Sequence, residues 1–261
     1  MKTKTPITFV LSNILLLFVL SGCATQPLLL ADFDNNTVGT LPDLTLAGDP
    51  TGDEITWSGS TANSSASLAP LKVIADTNGE AGDKILRLFY TSSDQSISSY
   101  LGFHARPTTE ENGLYNIFWD GVIEYPGNRS NQTLFIAVYR SAQWHADPLV
   151  SLRIYRTPDG PGQGWTSVNV SDDSNVSERR IGFIREDLPN SGFISVDIEK
   201  QKYSLFIGGL TATGDLPSDT TIDRLSLYVF FAPTIAQDDS SGLGVYYIDN
   251  VKMLQSEPDE D

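Results

Sequence analysis

Phe193-Ile-Ser-Val-Asp-Ile-Glu-Lys-Gln-Lys-Tyr-Ser-Leu-Phe-Ile-Gly-Gly209 alternates apolar and polar residues on both sides of a polar turn near Lys200-Gln201. Period-two alternation is what a strand with one buried face produces, and its reversal across a short polar turn makes an antiparallel hairpin. The same grammar runs through most of the chain. Short β-branched and aromatic runs are separated by clusters of Gly, Pro, Asn, Asp and Ser, and almost nothing after Cys23 has helical periodicity. The predicted strands upstream of the hairpin are Leu28–Phe33, Glu54–Trp57, Lys72–Ala75, Ile85–Tyr90, Ser99–Ala105, Leu114–Tyr125 (bent at Gly121), Thr133–Arg140, Val150–Arg156 and Arg180–Ile184. The hairpin supplies Phe193–Glu199 and Tyr203–Ile207, and Ile222–Phe231 and Val245–Leu254 follow it. So many strands with no sequence repeat and no long linker predict one all-β domain, a two-sheet sandwich.

Four segments carry a resemblance. The hairpin resembles the late hairpin of concanavalin A-like jelly rolls, the lectin, glucanase and laminin-G group, where an alternating pair ends in Gly. Val245-Tyr-Tyr-Ile-Asp-Asn-Val-Lys-Met253 resembles the closing strand of many bacterial jelly-roll domains, carbohydrate-binding modules among them. Asp32-Phe-Asp-Asn-Asn-Thr-Val-Gly-Thr-Leu-Pro42 looks like their opening strand and turn, and Gly82-Asp-Lys-Ile-Leu-Arg-Leu88 like an early strand. The order of these segments along the chain implies an antiparallel jelly-roll β-sandwich over residues 28–255. None of them is a catalytic motif.

The first residues read as an address. Lys2 and Lys4 precede a mostly apolar run from Ile7 to Leu20, too short to span a bilayer comfortably. Leu20-Ser-Gly-Cys23 then resembles the lipobox of bacterial lipoprotein signal peptides, which implies cleavage before Cys23 and lipid on its thiol. Residues 1–22 are the expected signal peptide, 23–27 the lipidated cysteine and a short tether, and 256–261 an acidic tail. Ala24, in place of the Asp that favours inner-membrane retention, implies the outer membrane, on its periplasmic side or at the cell surface. Cys23 is the only cysteine, so the fold must be stable without disulfides.

The chain carries a net charge of −16; without residues 1–22, which hold two Lys and no acid, 239 residues remain at −18. That balance repels nucleic acid and supplies no basic arm for phosphates. It also disfavours polyanionic polysaccharides wherever basic side chains are not clustered. Six Asn-x-Ser/Thr sequons, starting at Asn35, Asn63, Asn128, Asn131, Asn169 and Asn175, mark polar loops.

Several chemistries can be weighed on the remaining residues. A glycosidase of this fold class would carry Glu-x-Asp-x-Glu along a strand; the nearest match, Ser195-Val-Asp-Ile-Glu199, has Ser at the nucleophile position and cannot support a retaining mechanism. A lyase needs a Tyr or His base and a group that neutralises the uronate. Alternation puts Tyr100, Gly102, His104 and Arg106 on one face of a strand, and Arg153 and Tyr155 on one face of another. If those faces line the concave sheet they form a sugar-binding groove, although the strand motifs of lyase families with this fold are missing. Trp144 and Trp165 sit in polar or Gly-rich stretches and are candidate sugar platforms, whereas Trp57 and Trp119 fall within strand patterns and belong to the core. His104 and His145 are the only histidines, too few for the usual zinc site. In several jelly-roll sugar-binding modules, acids near the first and last strands hold a structural calcium; Asp32, Asp34 and Asp249 occupy comparable places. The leading expectation is a lipid-anchored, non-catalytic carbohydrate-binding module. A polysaccharide lyase or glycoside hydrolase, or a purely structural envelope protein, stands as the alternative.

Overall fold

A computed structural model of the chain describes residues 25–43, 47, 54–58, 71–76, 82–91, 100–107, 113–125, 132–141, 148–171, 178–217, 220–233 and 243–256. These contain fifteen strands and no helix. In chain order they are β1 (Thr25–Ala31), β2 (Ile55–Ser58), β3 (Leu71–Ala75), β4 (Lys84–Thr91), β5 (Tyr100–Ala105), β6 (Leu114–Glu124), β7 (Gln132–Tyr139) and β8 (Val150–Tyr155). Then come β9 (Trp165–Ser171), β10 (Arg179–Arg185), β11 (Gly192–Asp197), β12 (Lys202–Ile207), β13 (Leu210–Asp215), β14 (Leu225–Pro233) and β15 (Leu243–Ser256). Two antiparallel sheets result. An eight-stranded sheet runs β13-β12-β11-β6-β15-β4-β3, with β1 also paired to β15, and a seven-stranded sheet runs β10-β9-β8-β7-β14-β5-β2. This is the jelly-roll β-sandwich that the sequence implies.

The inner faces of both sheets form one core. Ile117, Trp119 and Ile123 of β6 meet Leu134, Ile136 and Val138 of β7 and Leu225, Leu227, Val229 and Phe231 of β14 in that cluster. Trp119 is buried, and its Nε1–H donates to the equally buried Tyr246 Oη at 2.9 Å. Pairing the two polar tips inside the core avoids the 1–3 kcal/mol that an unsatisfied buried donor costs. Trp57 also lies in a strand, and its side chain is outside the described residues.

The β11–β12 hairpin forms as expected around Lys200-Gln201, with the register Gly192↔Ile207 through Asp197↔Lys202. Its turn is closed by Asp197 Oδ1, which accepts the Lys200 N–H at 2.9 Å, and by Gln201 at φ 52°. Gly208 and Gly209, expected to end the pair, instead turn it. Both have positive φ, 54° and 88°, and they lead into β13, which pairs back on β12. The sequence reading missed β13, with its Leu-Thr-Ala-Thr-Gly-Asp, and β9, whose Thr-Ser-Val-Asn-Val-Ser looks like loop composition. At the other end β1 starts at Thr25, three residues earlier than expected, and pairs with the last strand from Thr25↔Ser256 onward. β6 runs unbroken through Gly121.

Candidate functional site

The outer face of the seven-stranded sheet is a second surface with its own composition. Register places Tyr100, Phe230, Phe135, Arg153, Asn169 and Arg180 in one row across β5, β14, β7, β8, β9 and β10. The row beside it reads Gly102, Tyr228, Ala137, Ser151 and Ser171, and His104, Ser226 and Tyr139 follow. Tyr155 faces Ser167 on the other flank of the Arg153 row. Tyr100, His104, Arg153 and Tyr155 therefore share one face of one sheet. Tyr100 and Arg153 stand three strands apart, roughly 14 Å at the usual strand spacing.

The rows differ in access. Tyr100, Phe230, Phe135, Arg153 and Tyr155 are each partly open to solvent, whereas Tyr228, Ala137, Ser151, His104, Ser226 and Tyr139 are buried. At the centre of the open strip the Phe135 and Phe230 rings stack 4.9 Å apart with their planes within 1°. The Arg153 guanidinium lies 5.3 Å from the Phe135 centroid. Arg153 Nη1 donates to Glu178 Oε2 at 3.3 Å and Tyr155 Oη donates to Glu178 Oε1 at 3.0 Å, so one carboxylate holds both side chains. Burial, then the hydrogen bond to Glu178, raises the Tyr155 phenol above its ordinary pKa. At the outer edge Arg180 makes a two-pronged contact to Asp159, Nη1 to Oδ2 at 2.6 Å and Nη2 to Oδ1 at 3.2 Å. The hydrogen bonds from Arg180 hold Asp159 down at about 2.

Behind the strip, Tyr228 is ringed by Tyr100, Tyr139 and His104 in edge-on contacts at 5.7, 5.3 and 5.1 Å. Burial, followed by the neighbouring Tyr100, pushes its phenol up to about 12. His104 is 1% exposed, with Nε2 2.7 Å from Thr56 Oγ1 and Nδ1 2.8 Å from Ser226 Oγ. Both ring nitrogens are engaged inside the sheet, the geometry of a structural histidine and a poor one for a proton-abstracting base. Arg106 is exposed, immediately past the end of β5. Trp165 opens β9 two residues before Ser167, hence on the same face, half-buried with the Arg185 guanidinium 5.6 Å from its ring. Trp144, like Cys23, lies outside the described residues.

The expected calcium ligands fare differently. Asp249 of β15 faces Asp120 of β6, where the register slips before Lys252. It is 8% exposed, and its Oδ1 is buried without a hydrogen-bond partner. Burial, with Asp34, Asp120 and Asp32 nearby, raises it to about 7 against the opposing pull of the Asn250 N–H. The acids of the first and last strands do come together, and one orphaned oxygen suits a cation. The rest of the donor set does not. Asp32 Oδ1 accepts the Asp34 N–H at 3.2 Å and Asp34 Oδ1 accepts the Lys84 N–H at 2.9 Å. Asp120 accepts from Ser191 Oγ at 2.7 Å and Asn250 Nδ2 at 3.2 Å. No group of three or more acidic, His or Cys side chains among the described residues is placed to hold a metal ion. As placed, these carboxylates accept hydrogen bonds at turns and strand ends.

Sequence reasoning missed Phe135, Phe230, Tyr228 and Glu178. Alternation would have found the first three, because Phe135, Ala137 and Tyr139 oppose Leu134, Ile136 and Val138, and Ser226, Tyr228 and Phe230 oppose Leu225, Leu227 and Val229. Their aromatic character disguised them as core. Glu178 lies just outside a strand and has no periodic signal.

No protein family and no curated protein matches the sequence. Solved structures do. A carbohydrate esterase from the Shiga toxin-encoding bacteriophage phi24B is similar over 90% of this chain and 100% of its own, with a TM-score of 0.52 at 14% identity. An alginate lyase from Pseudomonas aeruginosa covers 65% of this chain and 82% of its own, with a TM-score of 0.46 at 15% identity. The carbohydrate recognition domain of Emp47p covers 88% and 95%, with a TM-score of 0.47 at 9% identity. At 14% identity the likeness to the phage esterase is one of fold alone.

Proposed function

We propose that the chain is an envelope lipoprotein, tethered by lipid on Cys23 to the outer membrane, whose β-sandwich binds carbohydrate on the open strip without transforming it. The carrying observation is the parallel-stacked Phe135–Phe230 pair, partly solvent-exposed and flanked by the Arg153 and Tyr155 donors. The exposed edges of the stacked rings offer apolar contact to the C–H groups of a pyranose, and the polar groups beside them fix orientation. Arg153 and Tyr155 already share Glu178, so the strip offers hydrogen bonds with little surplus positive charge. That favours a neutral glycan.

The enzymatic alternative draws support from the names of the structural neighbours, an esterase and a lyase among them. It needs a base on the strip. The Tyr155 phenol is raised instead of lowered, and His104 is enclosed. Titration calorimetry of the full chain in detergent with neutral and uronate oligosaccharides tests the reading. A neutral oligosaccharide should bind, and Phe135→Ala or Phe230→Ala should weaken it about tenfold. Shortened or unsaturated products after incubation would replace binding by catalysis. Labelled palmitate should enter the wild type and not Cys23→Ser; equal incorporation would remove the anchor.

A further inference from the structure

The outer face of the eight-stranded sheet is not used by the proposed sugar strip, and it has an organisation of its own. Register aligns Leu30, Lys252, Phe118, Phe193, Phe206 and Thr211 in one row across β1, β15, β6, β11, β12 and β13. Leu30 is 53% exposed, the most open large apolar side chain among the described residues. The Phe118 and Phe193 rings lie 4.7 Å apart, and they and Phe206 are partly open to solvent. The adjoining row, from Leu254 through Asn116, Ser195 and Ser204 to Thr213, carries no charge. Two full rows of a chain at −16 thus hold one cation, Lys252, and no acid. Acids return only at the borders, with Asp120 on one side and Asp197 and Asp215 on the other.

The position of this strip relative to the chain start says what covers it. β1, which bears Leu30, begins at Thr25, two residues after Cys23. At ~3.6 Å per residue the lipidated cysteine lies within roughly 7 Å of the strand. A lipid on Cys23 therefore brings the β1 side of the sandwich to the bilayer, and the acid-free aromatic rows are the part of that side able to meet headgroups. Partly exposed aromatic and aliphatic side chains beside a lysine are suited to the interfacial layer. We infer that the outer face of the eight-stranded sheet rests on the lipid surface to which Cys23 is attached, with Leu30, Phe118 and Phe193 at headgroup level and Lys252 among lipid phosphates. This rests on the lipid-anchor part of the proposed function. It also orients the molecule, since the sugar strip lies on the opposite sheet and faces away from the membrane.

The test uses the full, processed chain with a single added cysteine carrying an environment-sensitive fluorophore, at Leu30→Cys, Phe193→Cys or, as a control on the far side, Asp159→Cys. Each is reconstituted in vesicles of phosphatidylethanolamine and phosphatidylglycerol with brominated acyl chains. Quenching should be about twofold or more at positions 30 and 193 and absent at 159, given that interfacial side chains sit within bromine range. A protein that takes up palmitate and stays on the vesicles, yet is unquenched at 30 and 193, overturns the docking while leaving the anchor intact. A chain that takes up no palmitate and remains soluble removes the anchor reading, and the docking with it. Labels shielded from an aqueous quencher without bromine quenching would assign the face to a protein neighbour and overturn the lipid surface.

Discussion

Asp249 has exchanged solvent for the company of Asp34, Asp120 and Asp32, and its carboxyl is raised from 3.8 to about 7 in consequence. The unfolded chain releases this proton near its ordinary value, while the folded chain keeps it until near neutrality. Between pH ~4 and ~7 the folded state binds more protons, so stability falls as pH rises through that window and levels off above it. The size of the effect is on the order of 2–4 kcal/mol. Asp249→Asn, which can still accept the Asn250 Nδ2–H now given to Oδ2 at 3.0 Å, removes the charge and keeps that contact. Thermal unfolding should show the variant equal to wild type near pH 4 and more stable at pH 8. A variant less stable at pH 8 would mean that the carboxylate holds a cation after all. This position also shows the reach of sequence reading. The gathering of Asp32, Asp34 and Asp249 was legible, because first and last strands pair in this fold. Whether the oxygens converge or cap turns depends on details such as the Asp34–Lys84 contact, which has no sequence signature.

The β11–β12–β13 meander joins the rest of its sheet through one neighbour, β6, in the register Gly192↔Trp119 to Asp197↔Leu114. Trp119 lies across Gly192, where a Cβ would run into the indole ring. Gly192→Ala must therefore push the meander off β6 or tip Trp119 away from Tyr246, and overpacking of this kind costs about 1–3 kcal/mol. Hydrogen exchange should quicken most in β11 to β13, while β7, β8 and β14 of the other sheet keep their protection. Uniform acceleration across both sheets would show that the meander does not unfold separately. The deciding hairpin was legible because one face of it is core and the other wet. β9 and β13 were not, because Ser and Thr alternate there with few large apolar residues, and pairing with an already formed neighbour supplies what composition does not. The open strip was half legible for the opposite reason. Its polar members declared themselves by parity, and its aromatic members looked like core.

Taken as a charged body, the domain repels itself. Its balance of −16, or −18 once residues 1–22 are removed, is spread over a surface whose described ion pairs are mainly exposed ones, such as Arg153–Glu178, Arg180–Asp159 and Lys202–Asp215. Pairs of that kind contribute ~0–1 kcal/mol each. Raising salt from ~0.01 to ~1 M shortens the screening length from about 30 to about 3 Å, which weakens both the pairs and the long-range repulsion. Most of the charge is unbalanced, so the repulsion is the larger loss and the melting temperature should rise with salt. The better-enclosed Arg156–Glu186 pair, at 2.5 Å, is screened least and should not reverse the trend. Ligand binding responds differently. A neutral sugar lying on Phe135 and Phe230 meets the same aromatic surface at any ionic strength, so its affinity should stay within about twofold across the series. A polyuronate held mainly by Arg153 would lose affinity steadily as salt is added, and one repelled by the whole molecule would gain it. Measuring the melting temperature and the affinity on one salt series therefore separates the charge of the scaffold from the charge of the ligand. A flat melting curve would contradict the self-repulsion argument, and a sloping affinity would contradict the neutral glycan.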